Sequence, residues 1–122
     1  MQRDDATSLF ESLSSGVRLD VFRLLVRMGE QGMVAGEIAQ TLAIPSTNLS
    51  FHLMALVNAR LASVEQEGRF LRYRANIALM LDLIAYLSEE CCSGHPEACA
   101  KMRDASGCPP EVLPSLPHGK CR

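Results

Sequence analysis

Three cysteines fall within nine residues, Cys91-Cys92-Ser93-Gly94-His95-Pro96-Glu97-Ala98-Cys99. Thiolates select soft or borderline ions. Three of them converging from one short segment make a trigonal site, the pyramid of sulfurs that arsenite and antimonite favour. Zinc wants a fourth ligand, and His95 stands in the same segment to supply one. Neighbours on an ideal helix point about 100° apart. Cys91 and Cys92 therefore share one ion only where a helix frays, and Gly94 and Pro96 permit that. Cys99 then returns to the pair. The same thiols also fit a redox pair that forms a disulfide or polysulfide. Cys91 alone would pass as a small core residue, because it continues an apolar stripe. Cys108 and Cys121 have no partner spacing.

A second set of residues suits hydrogen bonding to a duplex. Ser46, Thr47, Asn48, Ser50 and His52 head a segment whose Leu49, Leu53, Leu56 and Val57 repeat at helical spacing. A helix fits the major groove, where Asn bonds adenine bidentately and Ser or Thr reaches bases or phosphates. The apolar residues of this helix are expected to point the other way. Arg69 stands at a turn, and Arg72 and Arg74 alternate along the strand that follows it. Arginine there suits phosphate or a narrow minor groove. The plainer readings are a helix cap for Ser46 or Thr47 and solvated faces for His52 and the arginines.

Charge agrees in part. The net charge of −2 gives no global basic field. Residues 46–74, however, carry Arg60, Arg69, Arg72 and Arg74 against Glu65 and Glu67 alone, while both flanking thirds are acidic. A phosphate footprint can be local.

The elements that must position these residues follow from periodicity. With 122 residues and few aromatics, one core built from Leu, Val, Ile, Ala and Met favours helices. Leu9, Phe10 and Leu13 mark a first helix, with Asp4, Asp5 and Thr7 as start signals. Ser15 caps a second, whose Val17, Val21, Leu24, Leu25 and Met28 keep a helical period up to Gly29. Val34, Ile38, Ala39 and Leu42 mark a third, stopped by Ile44-Pro45. With the Leu49 helix this makes a helix-turn-helix. Ala62 to Gln66 alternates, Glu67-Gly68 turns, and Phe70 to Ala75 returns as a β-hairpin. Ile77, Leu81, Ile84 and Cys91 lie along a last helix that Leu79, Leu83 and Leu87 make apolar on another side. Such a helix needs a partner, most simply a second subunit. The expected fold is mainly α with a small β-hairpin, a winged helix-turn-helix that dimerises through its first and last helices. Residues 1–92 are read as the DNA-binding and dimerisation domain, and residues 93–122 as a flexible Cys/Pro/Gly-rich tail contributing to the ion site.

Particular motifs resemble the ArsR/SmtB repressors. Leu13-Ser14-Ser15-Gly16-Val17-Arg18-Leu19 is similar to their L-S-x-P-x-R-L, with Gly16 in place of proline. Ser46-Thr47-Asn48-Leu49-Ser50-Phe51-His52-Leu53-Met54-Ala55-Leu56 matches their recognition helix, S-x-x-L-S-x-H-L-x-x-L, at every fixed position. Glu67-Gly68-Arg69 and Tyr73-Arg74 match their wing. After the recognition helix, Asn58-Ala59-Arg60-Leu61 puts Arg60 where glycine is usual. The resemblance spans roughly residues 8–92. It implies a dimeric repressor of operator DNA that is released by a metal or a thiol reagent. The C-x-C sensor pair of the founding arsenic sensors is absent, since no cysteine precedes Cys91. The aspartate/histidine zinc site of other members has no match either. The segment Glu89 to Cys99 resembles instead the Cys-Cys…Cys cluster of some arsenic sensors. That implies As(III) or Sb(III) as inducer at Cys91, Cys92 and Cys99, one ion per cluster, with no permanent cofactor. A thiol-redox or sulfide sensor and a Cd/Zn/Pb sensor remain open alternatives.

Other function classes have little support. No C-x-x-C, Gly-rich phosphate loop or Ser/His/Asp set points to an enzyme. The start, Met1-Gln2-Arg3-Asp4-Asp5, lacks a secretory pattern, and the apolar run Ile77 to Leu87 is short of the ~20 residues that span a bilayer. The odd count of five cysteines fits free thiols in a reducing compartment. The expected location is the cytoplasm, with no membrane partner. A DNA-free interaction module is the remaining alternative.

Overall fold

Local signals set where each helix begins and ends. In the computed structural model, which describes residues 1–90 and 96–106, α1 spans Arg3–Ser12 and opens where the Asp5 carboxylate accepts the Gln2 amide at 2.9 Å. Ser15 caps α2, Gly16–Met28, by accepting the Arg18 amide at 3.3 Å. Gly29, with φ +61°, ends it in a conformation that glycine tolerates. A single 3₁₀ turn leads to β1, Met33–Val34, then to α3, Ala35–Leu42. Ala43 turns left-handed, and Ile44 and Pro45 lead into α4, Ser46–Asn58. β2, Ala62–Glu67, and β3, Phe70–Ala75, form the hairpin. α5 spans Ile77–Ser88 and α6 spans Pro96–Ala105.

The chain divides into two units, residues 2–79 and the segment from Met80 onward, with the boundary inside α5. In the first unit, Val21, Leu25, Ile38, Leu49, Leu53, Leu56 and Leu61 are fully buried. They come from α2, α3, α4 and the turn after α4, so one apolar core fixes the helix-turn-helix. Burying a leucine side chain contributes about 1.5–3 kcal/mol. The sheet order is β1-β3-β2, antiparallel throughout, with Met33 opposite Tyr73 and Val64 opposite Tyr73 on the other side. In the second unit Leu83 is buried, whereas Leu87 is 61% exposed. Among the described residues no helix is long and apolar enough to cross a membrane.

The expected fold class holds, with local corrections. The sheet has three strands, because Val34 pairs with Arg72 instead of joining α3. The last long helix stops at Ser88, three residues before Cys91. The expectation of a loose tail from residue 93 fails over residues 96–105, which are helical. Pro96 acts there as a helix starter and not as a breaker. It sits at the first helical position, where its missing N–H costs nothing, and Ala98 and Ala100 are strong helix formers. The rest of that tail, residues 93–95 and 107–122, lies outside the described residues.

Candidate nucleic-acid interface

The head of α4 is open to solvent. Ser46, Thr47, Asn48 and Ser50 are all exposed, and His52 is half-buried. Neither Ser46 nor Thr47 caps the helix, contrary to expectation. Pro45, at φ −56°, takes the cap position, and its carbonyl accepts the Leu49 amide at 2.9 Å. Both hydroxyls are therefore left to other partners. The Ser50 hydroxyl donates to the Ser46 carbonyl at 2.9 Å and keeps its acceptor lone pairs.

The assignment of the apolar residues of α4 to its buried side is corrected for two of them. Phe51 is 68% and Met54 65% exposed. Two residues past Leu49 is about 200° of rotation, which places Phe51 diametrically opposite the core. Thr47, Met54 and Asn58 share that outer face.

Arg18, on α2, reaches this surface. Its Nε donates to His52 Nδ1 at 3.4 Å and its Nη1 to the Ser12 carbonyl at 3.2 Å. An accepting Nδ1 leaves the proton of the neutral imidazole on Nε2, as a donor. The Arg18 guanidinium also lies 6.0 Å from the Phe51 ring centre, and the His52 ring meets Phe51 edge-on at 5.6 Å. Sequence reasoning misses Arg18, because its partner lies thirty-four residues away.

Arg60 has a clear structural place. The Arg60 amide donates to the Val57 carbonyl at 3.0 Å, and the Leu61 amide to the Leu56 carbonyl at 2.9 Å. These are the two bonds of a Schellman motif closing α4. Arg60 takes its left-handed position at φ +67°, where glycine is preferred. Asn76 then clamps the junction. Its Nδ2 donates to the Arg60 carbonyl at 2.9 Å, and its Oδ1 accepts the Leu79 amide at 3.1 Å.

The wing arginines divide. Gly68, at φ +63°, and Arg69 form a two-residue turn between the paired Glu67 and Phe70. Arg69 is exposed at this tip and makes no ion pair among the described residues. Arg72 and Arg74 are half-buried and bound within the wing and its neighbouring turn. Arg72 Nε donates to both Glu67 carboxylate oxygens at 2.9 and 3.0 Å, and Nη1 to the Gln31 carbonyl at 3.0 Å. Arg74 Nε donates to the Glu30 carbonyl and Nη1 to Glu65, each at 2.8 Å. Between them, partial burial pushes the Tyr73 hydroxyl above its ordinary pKa of 10.0 by desolvation.

The thiols are placed only in part. Cys91, Cys92 and His95 lie outside the described residues, and Cys99 falls in the first turn of α6 with its side chain also outside them. Among the described residues no three His, Cys, Asp or Glu side chains converge on an ion-sized site.

Residues 13–65 match the family model for a helix-turn-helix domain. No curated protein matches the chain. Among solved structures, an ArsR-like transcriptional regulator from Rhodococcus sp. RHA1 is 26% identical, with a TM-score of 0.61 over 84% of this chain and 89% of that one. The homodimeric winged helix-turn-helix DNA-binding domain Mb0332 from Mycobacterium bovis is 24% identical, with a TM-score of 0.56 over 72% of this chain and 82% of that one. HlyU from Vibrio cholerae is 22% identical, with a TM-score of 0.58 over 71% and 97%. Residues 13–65 thus carry a helix-turn-helix domain, and the chain has the winged helix-turn-helix fold of ArsR-like transcriptional regulators.

Proposed function

We infer that the protein is a transcriptional repressor that binds operator DNA as a homodimer and lets go when trivalent arsenic or antimony binds Cys91, Cys92 and Cys99. One observation carries the DNA half. α4 contains no acidic residue, presents Ser46, Thr47, Asn48 and Ser50 to solvent, and is followed by a hairpin with Arg69 exposed at its tip. That arrangement suits a helix in the major groove with a cation on flanking phosphate.

The dimer reading rests on α5. It is apolar in ten of its twelve positions, Ile77 through Ser88 with Asp82 and Ser88 excepted, yet Leu83 is its one buried residue in the single chain. On α1, Phe10 is 46% exposed. A second subunit would cover these faces. Two reading helices would then stand about 34 Å apart, one turn of DNA. The structural neighbour from M. bovis is a homodimer.

The inducer reading rests on the donor set. Three thiols displace the three hydroxyls of arsenous acid as water, leaving three As–S bonds and no change of oxidation state. Cys91 and Cys92 come three and four residues after the end of α5, and Cys99 is in the first turn of α6. Binding there would change how the dimer helix ends and so the spacing of the two reading heads. A coupling of about 1–3 kcal/mol weakens DNA binding about 5–150-fold.

The test is fluorescence anisotropy of the full chain on a duplex from its own promoter. Arsenite, antimonite, cadmium, zinc, sulfide and peroxide are added in turn. Arsenite and antimonite are expected to release the DNA. The variant carrying Cys91→Ser, Cys92→Ser and Cys99→Ser should bind as well and stay bound. Release by peroxide or sulfide but not arsenite assigns the thiols to redox sensing. Arsenite release that survives in the triple variant overturns the site.

A further inference from the structure

The outer face of α4 is apolar at its centre. The helix turns about 100° per residue, so Thr47, Phe51, Met54 and Asn58 form one stripe opposite Leu49, Leu53 and Leu56, which are at most 1% exposed. Folding does not account for the two apolar members. Phe51 and Met54 are 68% and 65% exposed, so burial within the chain contributes little to holding them there. The Phe51 ring is positioned by polar neighbours, the edge-on His52 ring and the Arg18 guanidinium. On either side of the stripe stand the hydrogen-bonding residues Asn48 and Ser50. The helix carries no acid that would repel phosphate.

Resting on the DNA-binding reading above, we propose that Phe51 and Met54 read thymine C5-methyl groups in the operator, at two neighbouring base pairs of each half-site. The methyl is the one apolar group that the major-groove edge of a base pair presents. An exposed phenyl ring and a thioether chain at the middle of a groove-facing helix have no other partner there for their apolar surface. The spacing fits. Phe51 and Met54 are three residues apart, an axial rise of about 4.5 Å, against about 3.4 Å between successive bases on a strand. Thr47 and Asn48, one turn nearer the helix start, are left to hydrogen-bond the flanking bases. Specificity of the helix is then split between a polar head and an apolar middle.

The experiment replaces thymine by uracil, one position at a time, in the bound promoter duplex. This removes the methyl and leaves every hydrogen-bonding edge in place. Full-chain wild-type protein, Phe51→Ala and Met54→Ala are titrated on each duplex. For wild type, uracil at two adjacent positions of a half-site should each weaken binding about four-fold, the effect of burying one methyl group. Phe51→Ala should be indifferent at one of these positions and Met54→Ala at the other. Both residues are exposed, so the circular dichroism and melting temperature of the variants should match wild type. Equal wild-type affinity for every uracil duplex overturns the proposal, as does discrimination that persists in both variants. Failure of wild type to bind any duplex overturns the DNA-binding reading itself, a separate outcome seen before any thymine is changed.

Discussion

The reading helix and the wing are held in place by opposite means. α4 is anchored by Leu49, Leu53 and Leu56, none more than 1% exposed. The hairpin of β2 and β3 has one buried residue, Ala62. Its attachment is polar: Arg72 and Arg74 reach back to the carbonyls of Gln31 and Glu30, and β1 zips onto β3. Core burial fixes a helix to within a rotamer, whereas exposed ion pairs contribute little and yield to salt. The difference says where each region's polar groups are available. α4 commits apolar residues to its anchor and keeps its polar head free. The wing commits two of its three arginines to its own attachment and keeps one.

The largest effect should come from the helix anchor. Leu53→Ala removes a fully buried side chain and is expected to cost about 2–5 kcal/mol, read by urea or thermal unfolding. A loss no greater than that of Arg74→Ala would break the comparison. Next is the seam of the wing. Gly32 is buried with φ +62°, and a Cβ there would meet the Tyr73 carbonyl and the Arg74 side chain. Gly32→Ala should therefore destabilise by about 2 kcal/mol or more. Hydrogen exchange should locate that loss at β1 and β3 before α4 opens.

A smaller change is expected to stabilise. Arg60 occupies the left-handed position of the Schellman motif at φ +67°. An L side chain there costs about 1–2 kcal/mol, part of which glycine forfeits again through unfolded-state entropy. Arg60→Gly should therefore raise stability by about 1 kcal/mol, measured as a higher melting temperature. A lower one would mean that the Arg60 side chain contributes more than its strain costs.

The anchor of α4 is legible in the sequence because it is local. Leucines at i, i+4 and i+7 state a helix face directly, and Ser15 and Gly68 announce their cap and turn. The wing is legible as a hairpin but not as a clasp. The alternation of Arg72 and Arg74 reads the same whether they face a groove or Glu67 and Glu65. The carbonyls that decide it belong to Gln31 and Glu30, some forty residues away. β1 is two residues long, too short for any period, and exists through its pairing with β3. Phe51 misleads by its type rather than by its spacing, since its angle from Leu49 already turns it outward. Of the proposed ion site, Cys91 and Cys92 lie outside the described residues, so that segment stands on its donor chemistry.

The smallest expected effect on stability is the sharpest test of the division among the wing arginines. Removing one cation that neutralises a phosphate lowers the slope of log affinity against log salt by about 0.9 for duplex DNA. Arg69 is exposed at the turn with no carboxylate partner among the described residues. Arg69→Ala should flatten the salt dependence by about that amount per wing while leaving the melting temperature unchanged. Arg74 is committed to Glu65 at 2.8 Å and to the Glu30 carbonyl. Arg74→Ala should instead lower stability by about 0.5–1 kcal/mol and leave the salt slope as it was, because the cation it removes was already neutralised. If both variants flatten the slope equally, Arg74 leaves Glu65 when DNA arrives, and the wing is a reserve of charge. If only Arg69→Ala does, the wing reads the duplex through its tip, and the two inner arginines act solely to hold that tip in place.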